Sequence, residues 1–475
     1  MTNKIALIAL FSLAFCVLLQ EYNLSYLIDS QSHKQGLITT ADEASYFASA
    51  LKWSESGVWK DSSIGYSSYY QRPPGYGWIF LLSNWLSPTH PYFILKILQI
   101  LAMGFSVFLF GKILLELKTE DKWIFTSTLF FGLLPSFSGF TYYTLTESIV
   151  PLLILLAIFL TFKLRKEPTL FKIISFGILA GISLLIRPQL LILLLVLIAY
   201  ILTQIQLKTM SKLFLVALFI LPAALWSIRN YTVNDEWVGI HPIYHSSNNG
   251  MYRPIHKEMG DLFRIWESNT VVFHANMALL FSDTTENARI TVISTLPENI
   301  RTSSRGKDIL NVFNDYQLAS CKLQNNFSRT ELIPLNGVPL EKEATTNIRQ
   351  LTMDLKSEFW VENTFKTPSY SLFKLVASSY LNLRIFQAKY RGVWWMEALR
   401  YFSFGVLFLS FLSSFYILFV RKNDLLLRFV AFAFLLTLFY LSFFQRLNEE
   451  RYYYIFLPVI FLMLVHSLAR IFRKE

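Results

Sequence analysis

Residues 173–206 read IISFGILAGISLLIRPQLLILLLVLIAYILTQIQ, and Arg187 is the one charged residue among them. Arg187 and Pro188 divide the stretch into two apolar runs, each close to the roughly 20 residues that an α-helix needs to cross a bilayer. Proline ends or kinks helices, and a charged side chain is best tolerated at the membrane interface. The stretch therefore predicts two membrane spans, near 171–186 and 189–206, that meet at one membrane face.

Apolar runs of similar length recur along the rest of the chain. Of its 475 residues 53% are hydrophobic and 16% are charged, a composition too apolar for one soluble domain. We therefore predict an α-helical polytopic membrane protein with about ten spans, the first of them a retained span rather than a cleaved signal. The spans are expected near 4–24, 92–115, 123–140, 148–163, 171–186, 189–206, 212–229, 396–420, 425–445 and 452–471.

The basic residues of the short connections predict the orientation of these spans. Most of them fall on one side, which the positive-inside rule assigns to the cytoplasm together with both termini. They include Lys4, Lys118, Lys122, Lys163, Arg165, Lys166, Lys172, Lys208, Lys212, Arg421, Lys422, Arg428, Arg470, Arg473 and Lys474. The formal net charge of +11 thus reports topology, and no nucleic-acid partner is predicted.

The opposite, exofacial side receives the long polar segments. We predict an N-terminal membrane module (1–230) with a first exofacial loop (25–91), an exofacial cap (231–395), and C-terminal membrane helices (396–475). Within the first loop, residues 42–56 and 78–91 have apolar faces but are too short to span, which predicts two helices lying flat on the membrane surface.

The first exofacial loop also contains the chain's main candidate site. Asp42 and Glu43 offer a proton acceptor, and Arg72, which precedes Pro73 and Pro74, offers a restrained cation that could hold a phosphate. Adjacent carboxylates are equally typical of a helix start, because they favour the positive end of the helix dipole. The residues alone leave both interpretations open.

Other kinds of site are not supported by the sequence. His241 and His245 could share a helix face as metal ligands, but Pro242 lies between them and no third ligand has a suitable spacing. There is no Walker loop, GxGxxG fingerprint or zinc-type cysteine cluster. We therefore predict no cofactor and no metal site. The sequence permits a divalent metal but contains no pattern that indicates one.

Layout and short motifs together resemble the GT-C superfamily of glycosyltransferases, which includes protein O-mannosyltransferases and the aminoarabinose transferases that act on lipid A. The resemblance lies in the exofacial segments and covers the first half of the chain better than the second. The matching motifs are ADEASY with Asp42-Glu43, Arg72-Pro73-Pro74-Gly75-Tyr76, LTES with Glu147, GISLLIRP at 181–188, Arg229-Asn230-Tyr231 and Glu450-Arg451-Tyr452. Gln71 departs from the aminoarabinose enzymes, which have an acidic residue before the basic-Pro-Pro element.

The resemblance implies a function and a set of site residues. It implies transfer of a sugar from a polyprenyl-monophosphate donor to an acceptor hydroxyl of a glycan, lipid or protein, on the exofacial side of a bacterial plasma membrane. Arginines would bind the lipid phosphate, and a carboxylate would act as the base, with inversion at the anomeric carbon. The implied catalytic residues are Asp42 and Glu147, and the implied substrate-binding residues are Glu43, Arg72, Tyr76, Arg187, Arg229 and Arg451.

A polytopic transporter or a flippase for lipid-linked saccharides is the alternative function. Such proteins place ionisable residues near the bilayer midplane, inside broken helices. The predicted spans are nearly free of internal charge, with Lys96 close to an end, and the sequence has no evident inverted repeat. This pattern favours the transferase.

Overall fold

The structure, a computed structural model, describes the greater part of the chain. It covers residues 1–27, 33–40, 42–57, 59, 72–234, 239–240, 254–267, 270–326, 339–377, 392–420, 424–446 and 451–472. Gln71, His241, His245 and Glu450, which the sequence analysis singled out, lie outside the described residues.

The first half of the chain is helical apart from one short antiparallel hairpin, β1 (His33–Lys34) and β2 (Leu37–Ile38). Its α-helices are α1 (Thr2–Leu27), α2 (Glu43–Ser56), α3 (Gly75–Leu86), α4 (Pro91–Glu116), α5 (Asp121–Leu133), α6 (Pro135–Ser138), α7 (Val150–Lys166), α8 (Leu170–Ile186), α9 (Leu191–Gln204) and α10 (Thr209–Asn234). Short 3₁₀ turns at Thr146–Ser148 and Pro188–Leu190 precede α7 and α9.

The described part of the second half is also helical. Its α-helices are α11 (Pro254–Phe263), α12 (Thr270–Ser282), α13 (Glu286–Ser294), α14 (Glu298–Arg301), α15 (Gly306–Asn326), α16 (Pro339–Glu358), α17 (Thr367–Ala377), α18 (Trp394–Phe419), α19 (Leu425–Phe439), α20 (Arg451–Tyr454) and α21 (Leu457–Ile471). Two π-helical segments, Glu362–Lys366 and Tyr440–Gln445, precede α17 and extend α19.

The predicted fold class, an α-helical polytopic membrane protein, is confirmed. Among the described residues, α1, α4, α10, α18 and α19 with its π-helical extension are long and apolar enough to cross a membrane. The helices α8, α9 and α21 are apolar but shorter. The span predicted at 123–140 is interrupted, since α5 ends at Leu133 and Pro135 cannot continue its hydrogen bonding. The total number of spans stays a prediction.

The membrane helices share one hydrophobic core, to which α1, α4, α5, α7, α8, α9, α10, α18, α19 and α21 contribute. Residues 457–465 of α21 are all buried, which agrees with a run that is apolar around the helix rather than along one stripe. A second hydrophobic cluster lies within α11, α12, α13, α15 and α16 and includes Phe263, Phe313 and Leu355. This cluster falls inside the predicted cap, whose boundaries at 231 and 395 stay a prediction.

The first loop is fastened by backbone hydrogen bonds to the segment between α6 and α7. Ile38 donates its backbone N–H to the carbonyl of Tyr142 (2.8 Å) and accepts one from Thr144 (3.1 Å). Helix α2 matches the helix predicted at 42–56, whereas α3 begins and ends earlier than the one predicted at 78–91. The two helices pack through stacked rings of Phe47 and Phe80, whose centroids are 4.2 Å apart, and their flat orientation on the membrane stays a prediction. Exposed tryptophans at Trp53, Trp78 and Trp85 suit the headgroup region. The loop thus holds the start of α2 against the ends of the membrane helices.

Candidate functional site

Asp42 lies at the start of α2, but its side chain makes no capping hydrogen bond. The carboxylate instead meets two guanidinium groups, since Arg72 Nη2 lies 3.1 Å from Oδ1 and Arg451 Nη1 lies 2.7 Å from Oδ2. The three side chains are 25%, 28% and 26% exposed, respectively, so the cluster is open to small molecules. Asp42 and Glu43 therefore do mark a helix start, but Asp42 does not cap it through a side-chain hydrogen bond. Its carboxylate joins the first loop to the start of α20.

The surroundings of Asp42 decide its protonation. Burial alone would raise the pKa of the carboxyl, but the positive charges of Arg72, Arg451 and Arg187 outweigh burial and hold the pKa below its ordinary value of 3.8. Asp42 is therefore ionised at neutral pH, with its charge balanced by neighbouring arginines.

Arg72 is positioned by residues on the first turn of α2. Its Nε donates to Ser45 Oγ (3.2 Å), and its guanidinium lies over the ring of Tyr46, 5.1 Å from the centroid. Pro73 restricts the backbone of Arg72 to extended geometry. The sequence analysis did not assign Ser45 or Tyr46 to the site; the available signal was their spacing of three and four from Asp42, which places them on the same helix face.

Glu147 and Arg187 form a second ion pair, and this one is buried. Arg187 Nη2 lies 3.1 Å from Glu147 Oε1, and the side chains are 8% and 1% exposed. Thr146 Oγ1 accepts from Arg187 Nη1 (2.6 Å) and donates to Glu147 Oε2 (3.1 Å). Gln189 Oε1 accepts from Arg187 Nε (2.8 Å). The 3₁₀ turns before α7 and α9 present these residues to one another.

Tyr452 connects the Glu147–Arg187 ion pair with the cluster around Asp42. Its ring lies between two guanidinium groups, with Arg187 at 5.3 Å and Arg451 at 5.2 Å from the centroid. Cation–π contacts of this kind favour holding both charges near the ring. The sequence contained Tyr452 only as part of a motif, and nothing in its pattern indicated contact with Arg187. The structure thus places three guanidinium groups around one carboxylate.

Glu43 points away from this cluster. Lys34 Nζ (2.7 Å) and the hydroxyl of Tyr92 (2.8 Å) donate to its Oε1, and Thr144 Oγ1 lies 3.4 Å from its Oε2. Successive residues of a helix point about 100° apart, so Asp42 and Glu43 cannot face the same ligand. The contacts of Glu43 fasten the hairpin and α4 to the start of α2.

Tyr76 and Arg229, two of the predicted substrate-binding residues, also make structural contacts. The buried hydroxyl of Tyr76 donates to Gln99 Oε1 (2.7 Å). Arg229 donates to the carbonyl of Trp59 (2.8 Å) and lies over Trp226, 4.9 Å from the ring centroid. Neither set of contacts includes Asp42. In this structure both residues brace the first loop against the membrane helices.

Metal ligands and an apolar cavity are two other features of the described residues that bear on a site. No group of three or more His, Cys, Asp or Glu side chains among them is placed to hold a metal ion. An apolar cavity of about 540 Å³ lies between α1, α5 and α18, and none of the predicted site residues lines it. Its lining consists of Phe15, Leu19, Tyr22, Phe130, Leu133, Leu134, Pro135, Trp395, Leu399 and Phe402.

The chain aligns along nearly its whole length with solved structures of two kinds. An Archaeoglobus fulgidus oligosaccharyltransferase in complex with zinc and sulfate is 11% identical, covers 98% of this chain and 49% of its own, and gives a TM-score of 0.47. A structure of AglB from the same organism, with an inhibitory peptide and a dolichol-phosphate, is 11% identical and covers 97% of this chain and 50% of its own, with a TM-score of 0.42. ArnT from Cupriavidus metallidurans bound to undecaprenyl phosphate is 12% identical and covers 97% and 77%, with a TM-score of 0.32.

Both kinds are GT-C glycosyltransferases, the superfamily that the sequence motifs resemble. This chain spans about half the length of the oligosaccharyltransferase structures. The sequence matches no protein-family model and no curated protein.

Proposed function

We propose that this protein is a membrane glycosyltransferase that moves a sugar from a polyprenyl-monophosphate donor to an acceptor hydroxyl, with inversion at the anomeric carbon. One observation carries the proposal. The ionised carboxylate of Asp42 lies between Arg72 and Arg451 in a partly open cluster, and Arg187 adds a third positive charge across the ring of Tyr452. This arrangement combines a proton acceptor with the cations that a phosphate needs.

The arginines would bind the donor phosphate. A departing lipid phosphate is an anion, and guanidinium groups in a setting of reduced dielectric stabilise it by charge-assisted, often bidentate hydrogen bonds. Dolichol phosphate and undecaprenyl phosphate, bound in the AglB and ArnT structures, are lipids of the proposed class. The donor lipid would lie in the membrane and present its phosphate at the ends of the helices.

Asp42 would act as the general base. In the ligand-free protein its pKa is depressed by its arginine partners. When Arg72 and Arg451 turn to the donor phosphate, burial of the carboxyl is less fully compensated and its pKa rises, which improves it as a proton acceptor. The acceptor oxygen then bonds to the anomeric carbon, the bond from that carbon to the phosphate oxygen breaks, and the hydroxyl proton passes to Asp42.

Glu147 would position Arg187 rather than contact the acceptor, because its side chain is 1% exposed and engaged by Arg187 and Thr146. Glu43, Tyr76 and Arg229 would likewise act through the loop that they hold.

We place the reaction on the exofacial side of a bacterial plasma membrane, on the strength of the basic residues at the other ends of the spans. The acceptor could be a hydroxyl of a glycan, a lipid or a protein.

The test uses purified protein with a panel of polyprenyl-phosphate sugars, in the absence of nucleotide and of any ion gradient. We expect transfer by the wild type and a loss of about 10²–10⁴-fold in turnover for Asp42→Asn, the range typical of a missing general base. Donor binding should persist or tighten, because the amide frees two arginines from their counter-charge.

Glu43→Gln is the matched control, since Glu43 is the adjacent carboxylate and faces Lys34; most of its turnover should remain. Near-normal turnover of Asp42→Asn would remove the base assignment. Absence of transfer with every donor, together with gradient-driven movement of the lipid, would favour a transporter or flippase instead.

A further inference from the structure

Arg446 is an arginine that the proposed reaction does not use. It follows the π-helical segment Tyr440–Gln445 that extends α19, and its backbone is left-handed (φ 55°, ψ 35°). Residues other than glycine and a few polar types rarely adopt this backbone conformation. The residue is nevertheless 7% exposed, so a strained backbone directs a charged side chain into the protein.

Among the residues that the structure describes, no negative charge compensates Arg446. Its Nη2 donates to the backbone carbonyl and to Oδ1 of Asn363, whereas its buried Nη1 has no hydrogen-bond partner. No described carboxylate forms an ion pair with it. Burial and the like charge of Arg264 together lower the pKa of Arg446 to about 10.

Arg264 shares this shortage of partners. Its Nη1 is paired with Asp261 Oδ1 at 2.7 Å, but its Nε is buried and has no hydrogen-bond partner. The segment that carries Arg264 is held to the helix after Asn363, because Thr367 Oγ1 donates to the carbonyl of Ile265 at 3.0 Å. Each of the two guanidinium groups thus buries an N–H without an acceptor in the same region of the protein. A buried N–H without an acceptor lowers the stability of the folded protein. An anion bound between Arg446 and Arg264 would accept from both unpartnered N–H groups and remove both penalties.

The surroundings indicate that the anion belongs to a lipid. Trp360 and Phe365, which flank Asn363, are exposed, as are Tyr440 and Phe444 in the segment before Arg446. Exposed aromatic rings at the ends of membrane helices are typical of the headgroup region, where phosphates are concentrated. The segments that carry Arg446 and Asn363 thus also carry a surface suited to lipid.

We propose that Arg446 and Arg264 form a binding site for the phosphate of a membrane lipid, separate from the cluster around Asp42. The expected ligand is a phosphate group attached to a lipid. That lipid is either a bulk phospholipid or a polyprenyl phosphate, and the two share the same phosphate chemistry. The site joins the end of α19 to α11 and to the Glu362–Lys366 segment, so an occupying lipid would stabilise the contact between the cap helices and a membrane helix.

The test measures thermal unfolding of the full chain in a neutral detergent, with and without added phosphatidylglycerol. The wild type should be stabilised by phosphatidylglycerol by an amount that grows with the logarithm of its concentration, because a ligand that binds only the folded state raises the melting temperature. For Arg446→Gln we expect an unchanged or higher melting temperature without lipid, since an uncompensated buried charge is gone, and about tenfold weaker binding of the lipid.

Arg428→Gln is the matched control, because Arg428 lies at the opposite end of the same helix and also donates to a backbone carbonyl, that of Leu418. Its response to phosphatidylglycerol should equal that of the wild type. Arg264→Gln should lose the response as Arg446→Gln does, which keeps the test valid if one variant folds poorly.

Two further probes separate the sources of phosphate. If Arg446→Gln loses its response to phosphatidylglycerol but keeps its response to undecaprenyl phosphate, the natural ligand is a bulk phospholipid. If it loses its response to both lipids, the site accepts any lipid phosphate. Both outcomes support the site. An unchanged response of Arg446→Gln to both lipids would overturn it. So would stabilisation by inorganic phosphate as large as that by lipid, because the aromatic surface would then contribute nothing.

Discussion

Asp42 and Glu43 are neighbours in the sequence, yet their side chains face different partners. Asp42 meets Arg72 and Arg451 in a partly open cluster, whereas Glu43 is enclosed by Lys34 and Tyr92. The rotation of about 100° between adjacent helical positions produces this division. At the scale of the residue, the chemistry of the proposed site thus depends on which carboxylate the arginines can reach.

The depressed pKa of Asp42 predicts a pH effect. Replacing Arg72 with glutamine removes the first of the charges that lower this pKa, so burial should move it upward from its value below 3.8. Because the base must be ionised, the acid limb of the kcat/KM profile should move to higher pH in Arg72→Gln. The stability that the depressed pKa of Asp42 gives the folded protein at neutral pH should be smaller in the variant, and this difference should vanish as pH falls and the carboxyl is protonated in both proteins.

Lys34→Gln is the control for this measurement, since Lys34 carries a similar charge but pairs with Glu43. Its acid limb should coincide with that of the wild type. An acid limb that does not move in Arg72→Gln would show that Asp42 does not set it.

At the scale of the element, the turn before α3 decides how closely the first loop approaches the membrane helices. A Cβ at Gly75 would lie 2.7 Å from the backbone nitrogen of Ile186 and 2.7 Å from the carbonyl carbon of Leu185. These atoms immediately precede Arg187. The absence of a side chain at Gly75 therefore lets the Arg72 turn lie against the end of α8, which brings together the two arginine-bearing segments.

We expect Gly75→Ala to separate these segments. The contact is with backbone, which cannot rotate away, so the substitution should cost about 1–3 kcal/mol of stability, as overpacking does. Donor binding should weaken as well, because Arg72 and Arg187 move apart. Thermal unfolding and donor titration of the purified variant measure the two effects.

Gly405→Ala supplies the comparison. Gly405 lies within α18, and a Cβ there would meet no atom within 4 Å, so this variant should be as stable as the wild type or slightly more stable. A Gly75→Ala protein that unfolds and binds donor like Gly405→Ala would contradict the close-approach argument.

At the scale of the whole molecule, charged residues gather at the two ends of the helices. Glu147 and Arg187 lie at the end where α7 begins and α8 finishes. At the other end of α7, Lys163 pairs with Glu116 at 2.7 Å and Arg165 pairs with Asp424 at 2.8 Å. A helix of 17 residues separates the two groups by roughly 26 Å, close to the thickness of the hydrocarbon core.

This separation predicts the result of labelling from outside the cell. Single cysteines at Ser54, Thr302 and Lys118, in a background lacking Cys16 and Cys321, would be exposed to a membrane-impermeant thiol reagent. Positions 54 and 302 should react in intact cells, and position 118 should react after the membrane is permeabilised. Labelling of position 118 in intact cells would reverse the assigned orientation.

The sequence by itself determined the fold class, the positions of most membrane helices and the segments that carry the site. These features depend on local properties, namely the length and apolarity of each run and the effect of proline on a helix, so they can be read without knowing any contact. The same locality explains one error. Pro135 ends α5 within the span predicted at 123–140, because hydropathy alone does not register a missing backbone donor.

Only the tertiary structure decided which residues of these segments meet. Asp42 and Arg451 are 409 positions apart, and no spacing along the chain indicates that they pair. The packing of α2, α8 and α20 places Tyr452 next to both Arg187 and Arg451. It also directs Glu43 toward Lys34 and Tyr92 instead of toward the arginines. The same packing gives Arg446 no counter-charge among the described residues. Contacts of this kind depend on how helix ends are brought together in space, which the periodicity of any single segment does not contain.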